Sequence, residues 1–398
     1  MTLSTQTNIL PKYSGRIPAL DGIRGLAISL VLCWHFLFSP LRGIFPHHHY
    51  VSKAIELGRF TWSGVDLFFV LSGFLIGGIL LDASRSPSYF STFYVRRAYR
   101  IIPLYFVIIM LNVAVFTRYG GSQVGSGILY YVLFLQNIRM AATDSFGPFG
   151  LGMTWSLAVE EQFYLSLPLV VRILSRRILW RVLLVAVVAA PVLRVLAVHF
   201  LKMTWVATYV LMPCRADALC LGVLIAIALR SPSVWKTILA HKKYLYAALG
   251  LASGVCLWML IGHFEPFTLQ LFGLEYSLFA IVYSLLLTST LLSASLSSLF
   301  SFGPLRFMGV IAYGLYLFES VVDFLFHRLL LHFDPKSGIV LYCVAPILAI
   351  LATVALAATT WKYFEKPLVK RGHQRQYLSP SESPEEESQE PIFQSVAS

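Results

Sequence analysis

The feature that most limits what this chain can fold into is a succession of apolar windows. Each is close to the roughly 20 residues a helix needs to cross about 30 Å of hydrocarbon. About ten of them follow one another, at residues 18–38, 64–82, 101–117, 128–171, 182–200, 206–229, 244–262, 268–292, 307–331 and 338–363. The fourth is long enough for one span preceded by a re-entrant or loop segment. The expected fold is therefore all-α: a polytopic membrane helical bundle with about ten transmembrane helices. A composition of 57% hydrophobic and 13% charged residues, with a mean hydropathy of +0.72, excludes an ordinary soluble domain. No short apolar run followed by a small-residue cleavage site opens the chain, so residues 20–38 are read as a retained span.

The formal charge of +12 does not point to nucleic acid, because the basic residues sit in short clusters between apolar runs rather than along one soluble face. The densest are YVRRAYR (94–100), RILSRRILWR (172–181) and the stretch from Arg230 to Lys243. Read with the positive-inside rule they place both termini in the cytoplasm, in a multi-pass protein of the cytoplasmic membrane. Residues 1–16 form a cytoplasmic N-terminal segment, 17–371 the transmembrane domain, and 372–398 a disordered acidic tail rich in serine, proline and glutamate. The five cysteines lie in or beside apolar runs without a C-x-x-C pair, which excludes a disulfide or zinc framework. No internal repeat is evident.

Inside the first window, LDGIRGLAISLVLCWHF (20–36) carries Arg24 and His35. On a continuous helix, eleven residues make about three turns, so both side chains face one way about 16 Å apart. An intramembrane charge marks a functional site by default. Arg24 can equally snorkel to the headgroups as an anchor, and His35 can equally be a hydrogen-bonded interior histidine. The ordinary pKa of imidazole suits His35 to general-base work near neutral pH. Asp21, one turn before Arg24, is placed to hold the guanidinium.

TWSLAVEEQFYL (154–165) puts two adjacent carboxylates near the start of a span. They diverge by about 100°, so only one can aim at a shared pocket, and Glu160 is preferred because it lies on the face of Ser156. Arg96 and Arg100 are stacked four apart, a spacing that can grip a phosphate or simply anchor the span. Arg215 and Asp217 in MPCRADALCLG do not share a face, so each is expected to have a different partner. His47–His49 lack an acidic neighbour and are not read as a metal site; no metal is expected. SGFLIGG (72–78) reads as small residues packing helix on helix rather than as a phosphate loop.

Taken in order, ALDGIRGLAISLVLCWHF, GVDLFFVLSGFLIGGIL, YVRRAYRIIPLYF, TWSLAVEEQFYL, RADALCLG, IAYGLYLFE and YFEKPL resemble the acyltransferase 3 family of integral membrane acyltransferases, over about residues 17–368. The resemblance implies transfer of an acyl group, often acetyl, from acyl-CoA on the cytoplasmic side to a hydroxyl of a sugar, cell-surface glycan, glycolipid or similar acceptor. It puts the family's arginine–histidine motif on Arg24 and His35, its arginine-rich motif on Arg96 and Arg100, and its tryptophan–glutamate motif on Trp155 and Glu160. Arg215, Asp217, Tyr313, Tyr316 and Glu319 join Trp155 as candidate acceptor-binding residues. One departure stands out: relatives commonly run YLWH where this chain has YLFE, with Glu319 in place of the histidine. Some relatives also carry an esterase-like C-terminal domain, so here a single module is expected to suffice or a partner to supply the rest.

These readings combine into one expectation. His35 is base or acyl carrier, Glu160 orients its imidazole, and Arg24 with Arg96 and Arg100 holds the donor, acetyl-CoA or another acyl-CoA, by its phosphates. Membrane lipid and a glycan or lipid-linked sugar are the expected partners. The runner-up is a membrane transporter that moves an acyl donor or glycan without chemistry, since Arg, His and Glu also line transport paths.

Overall fold

A computed structural model describes residues 17–38, 58–118, 127–148, 150–261, 274–333 and 344–378. Every regular element among them is helical. In chain order the α-helices are α1 (Pro18–Leu32), α2 (Gly64–Ala83), α3 (Tyr89–Arg118), α4 (Ile128–Val132), α5 (Gln136–Thr143), α6 (Trp155–Ile173), α7 (Arg176–His199), α8 (Trp205–Val210), α9 (Met212–Leu229), α10 (Pro232–Ala240), α11 (Lys242–Ile261), α12 (Glu275–Leu292), α13 (Ala294–Phe300), α14 (Gly303–Val310), α15 (Ala312–Phe333), α16 (Ala345–Thr360) and α17 (Lys366–His373). Prolines at their starts, such as Pro18 in α1 and Pro213 in α9, sit where a missing amide costs no intrahelical bond.

Seven helices among the described residues are long and apolar enough to cross a membrane. An eighth crossing results if α14 and the first part of α15, bent by 73° at Ile311, form one span. The protein is thus multi-pass, with a differing count where the windows are interrupted. Window 128–171 divides into the short helices α4 and α5 and then α6, which holds Glu160 and Glu161. Window 206–229 breaks at Leu211 between α8 and α9. The first residues of windows 268–292 and 338–363 lie outside the described residues, as do His47–His49.

Helix α2 is the hub, packed on α9, α1, α12 and α6. The α2–α9 contact explains SGFLIGG. A Cβ on Gly73 would lie 1.9 Å from the Leu219 carbonyl oxygen, and one on Gly222 2.1 Å from that of Val70, so the two backbones touch where only glycine fits. Asp82 closes the same pair at its end by a bidentate contact with Arg230, at 2.6 and 2.5 Å. In the interior, Arg215 pairs with Asp66 at 2.6 Å, and Arg194 pairs with Asp217 at 3.0 Å while donating to Ser277 at 2.6 Å. As helical phase requires, Arg215 and Asp217 take different partners.

Two stretches depart from the α-helical repeat. After Leu32, residues Cys33–Phe38 form a wider π-helical turn, and Trp361–Glu365 form another before α17. Residues 372–378, expected as the start of a disordered tail, are instead fastened to α3: Gly372 abuts Tyr99, and the Gln376 carbonyl accepts from Thr92 at 3.1 Å.

Candidate active site

A cavity of about 300 Å³ lies among α1, α2, α3, α6 and α15. Along α2 its wall runs from Val65 to Ile79, which is about 21 Å of helix. One end is cationic, lined by Arg96, Arg97 and Arg100 of α3 with Arg24 of α1. Ser156 and Tyr316 lie toward the other. Glu160 is the single carboxylate on the wall among the described residues and accepts a hydrogen bond from Ser72 Oγ, whereas Glu161 is not part of the lining. Four guanidiniums against one carboxylate make a site suited to a ligand bearing several negative charges.

The four arginines are held differently. Arg24 reaches Asp21 at 3.1 Å, the one-turn pairing expected from the sequence. Arg96 donates from Nε and Nη2 to the Arg375 carbonyl at 2.8 and 2.6 Å. Arg97 stands over the Tyr164 ring at 4.3 Å. Arg100 lines the cavity with no hydrogen bond or close ion pair among the described residues. Arg96 and Arg100 therefore do not form an isolated fork; Arg97, which the four-residue spacing passed over, stands between them in the same cluster.

His35 is not on the cavity wall. The uninterrupted α phase that put it on the face of Arg24 ends at Leu32, and the imidazole belongs to the π-helical turn. Its Nδ1 lies 2.8 Å from Glu319 Oε1 on α15. This corrects two expectations: the carboxylate beside the imidazole is Glu319 rather than Glu160, and Glu319 faces His35 instead of standing apart as an acceptor contact. The pair is nevertheless close to the cavity. Tyr316 lies one helical turn before Glu319 on α15, with its hydroxyl bonded to Ser156 Oγ at 2.6 Å and donating to the Met153 carbonyl. On the α2 side, a Cβ on Gly64 would touch Ala27 and Val31 of α1, so His35, four residues on, falls just past the Val65 end.

The remaining candidates occupy the walls. Tyr313 lines the cavity and donates to the Ile101 carbonyl at 2.8 Å. Trp155 packs edge-on against Phe69 with ring centroids 6.0 Å apart, and Phe69 is on the wall. Behind them the Arg215 guanidinium sits in an aromatic cage, 4.2 Å from the Tyr276 ring centre and 5.3 Å from that of Tyr209. Arg215 and Asp217 are thus part of the buried ion-pair framework rather than of the cavity lining. Ser72, Tyr164, His373 and Tyr377 also line the cavity, and no spacing within the sequence pointed to them.

A family description, the acyltransferase domain of acyltransferase 3 type, matches residues 17–360. The chain belongs to the acyltransferase 3 family. The acyltransferase 3 match takes in the His35–Glu319 pair and every cavity residue except His373 and Tyr377. Among curated proteins, the chain is 28% identical over 388 residues to the peptidoglycan O-acetyltransferase OatA of Listeria monocytogenes, covering 91% of this chain and 57% of that protein. It is 28% identical over 387 residues to a putative peptidoglycan O-acetyltransferase of Bacillus subtilis, covering 89% and 55%. A putative O-acetyltransferase of Staphylococcus aureus is 24% identical over 388 residues, covering 93% and 60%. The chain therefore spans little more than half the length of these relatives. No solved structure matches.

Proposed function

We propose that this protein is an integral membrane O-acyltransferase of the cytoplasmic membrane that moves an acyl group, acetyl foremost, from acyl-CoA to a hydroxyl of a glycan. The reading is carried by one arrangement: an imidazole–carboxylate pair of 2.8 Å just past the end of an elongated cavity whose opposite end is arginine-lined. Both termini and the arginine end are assigned to the cytoplasm by the positive-inside pattern. The names of two relatives make peptidoglycan the first acceptor to test.

The donor fits the residues present. Arg97, stacked on Tyr164, and Arg100 make no hydrogen bond among the described residues and offer guanidiniums to phosphates, and about 21 Å of wall along α2 accommodates an extended arm that carries a thioester toward His35. In this reading the Glu319 carboxylate, 2.8 Å from Nδ1, favours the imidazole proton there and leaves Nε2 to the reaction. Nε2 then takes the proton of the acceptor hydroxyl as its oxygen attacks the thioester carbonyl. When the carbon–sulfur bond breaks, the proton passes from Nε2 to the departing sulfur, so the step closes with no net proton gained or lost. Ser156 and Tyr316 lie near the path between the two ends.

The test is transfer of radiolabelled acetyl from acetyl-CoA into membrane glycan by His35→Ala and His35→Gln variants present at the wild-type level. A fall of about a hundredfold or more is expected; undiminished transfer overturns the assignment. Release of one free thiol per ester formed separates this reaction from transport, which would release none.

A further inference from the structure

The final described stretch, α17 and residues 374–378, lies beyond the 17–360 family match, yet it walls one end of the cavity with His373 and Tyr377. It is fastened there by specific bonds. Ser88 Oγ donates to the Gln376 carbonyl at 3.2 Å and accepts from the Leu378 amide at 3.0 Å; Thr92 donates to the same Gln376 carbonyl at 3.1 Å. The Arg375 carbonyl takes both Nε and Nη2 of Arg96, which turns the Arg96 guanidinium over the Tyr377 ring at 5.0 Å. Glycine at 372 permits the approach, since a Cβ there would lie 2.9 Å from Tyr99 Cβ.

The Tyr377 hydroxyl is buried and has no hydrogen-bond partner among the described residues. A buried hydroxyl left unpaired is destabilising, so its place on a cavity wall calls for an acceptor that enters the cavity. Burial pushes the phenol above its ordinary pKa, and the hydroxyl remains a proton donor at neutral pH. The subsite lies at the opposite end of the cavity from His35. A donor whose thioester is delivered to His35 places its other end, the nucleotide, at Tyr377. A guanidinium stacked on a phenol ring, beside Arg97 and Arg100, presents a flat platform and positive charge together, the combination a phosphorylated purine nucleotide requires.

We propose that Tyr377 and Arg96, locked together by residues 375–378, form the subsite for the adenine-nucleotide end of the donor, with the Tyr377 hydroxyl donating to a phosphate oxygen or ring nitrogen. This rests on the acyl-CoA reading above. The test uses the full chain in lipid nanodiscs and measures calorimetric binding of adenosine 3′,5′-bisphosphate, the nucleotide end alone, and of pantetheine, the arm alone. Turnover is measured with acetyl-CoA and with S-acetylpantetheine. Tyr377→Phe, which keeps the ring and removes the hydroxyl, is expected to weaken the bisphosphate by about fivefold to tenfold and to raise KM for acetyl-CoA in proportion. Pantetheine affinity, KM for S-acetylpantetheine and kcat are expected to stay at wild-type values. Tyr377→Ala is expected to weaken the bisphosphate further.

Wild-type bisphosphate affinity in Tyr377→Phe and Tyr377→Ala, in a protein that still transfers acetyl from acetyl-CoA, overturns the subsite and leaves the function standing. Equal weakening of bisphosphate and pantetheine also overturns it, because it shows loosening of the whole cavity. Undiminished transfer in His35→Ala sinks the catalytic reading instead, independently of what Tyr377 binds.

Discussion

Glu319 Oε1 stands 2.8 Å from Nδ1 of His35, which under the proposed mechanism leaves Nε2 for the reaction. Glu319→Gln keeps the shape and removes the charge. We expect turnover to fall on the order of a hundredfold, with KM for the donor little changed, because the loss falls on proton transfer rather than on donor binding. Steady-state kinetics in membranes checks this, and a proportional rise in KM with kcat intact would assign Glu319 to binding. His35 and Arg24 were legible as residues of interest because charge inside an apolar window is costly. The identity of the imidazole's partner was not, because Glu319 reaches it across 284 positions of sequence and neither helical period nor local motif relates the two. Glu160, chosen for its phase relative to Ser156, does reach the cavity wall, but its bond there is to Ser72.

Among elements, the helix contacts divide into those made by small residues and those made by charge. SGFLIGG was readable as a packing stripe, since glycine at helical spacing invites close approach. At Gly73 a Cβ would lie 1.9 Å from the Leu219 carbonyl oxygen, so Gly73→Val must push α2 and α9 apart. A loss of about 1–3 kcal/mol or more is expected, read as a lower midpoint in thermal unfolding followed by size-exclusion chromatography in detergent. The charged clasps behave differently. Arg194→Leu alone strands Asp217 in the interior and is expected to cost about 3–5 kcal/mol, whereas Arg194→Leu with Asp217→Asn recovers much of that loss. Additive single and double variants in the same unfolding assay would show that the two residues do not act as a pair. Helical phase revealed that Arg215 and Asp217 diverge, but their partners Asp66 and Arg194 lie on other helices. The π-helical turn after Leu32 left no mark in apolar spacing, and it places His35 beyond the α-helical repeat that carries Arg24.

At the scale of the molecule, apolar windows made the multi-pass helical architecture plain and misjudged it where polar residues serve the interior. Residues 128–171 hold two short helices and α6, with polar side chains tying them together: Gln162 Nε2 meets Asn137 Oδ1 at 2.8 Å, and Gln136 donates to the Thr154 carbonyl at 2.9 Å. The assigned orientation is testable by single cysteines in a chain freed of its native ones. Ser233→Cys in α10 is expected to react with a membrane-impermeant maleimide only after permeabilisation of the cell, and Lys202→Cys between α7 and α8 is expected to react in intact cells. The reverse pattern would invert the proposed donor and acceptor sides. One feature also bears on the order in which the protein can come into being. Arg96 is clasped by the carbonyl of Arg375, 279 positions later, just as His35 waits for Glu319. An elongating chain inserts its early helices long before either late residue leaves the ribosome. Both closures thus form late in the synthesis of this helical domain, and a chain halted before Glu319 holds its early helices with neither made.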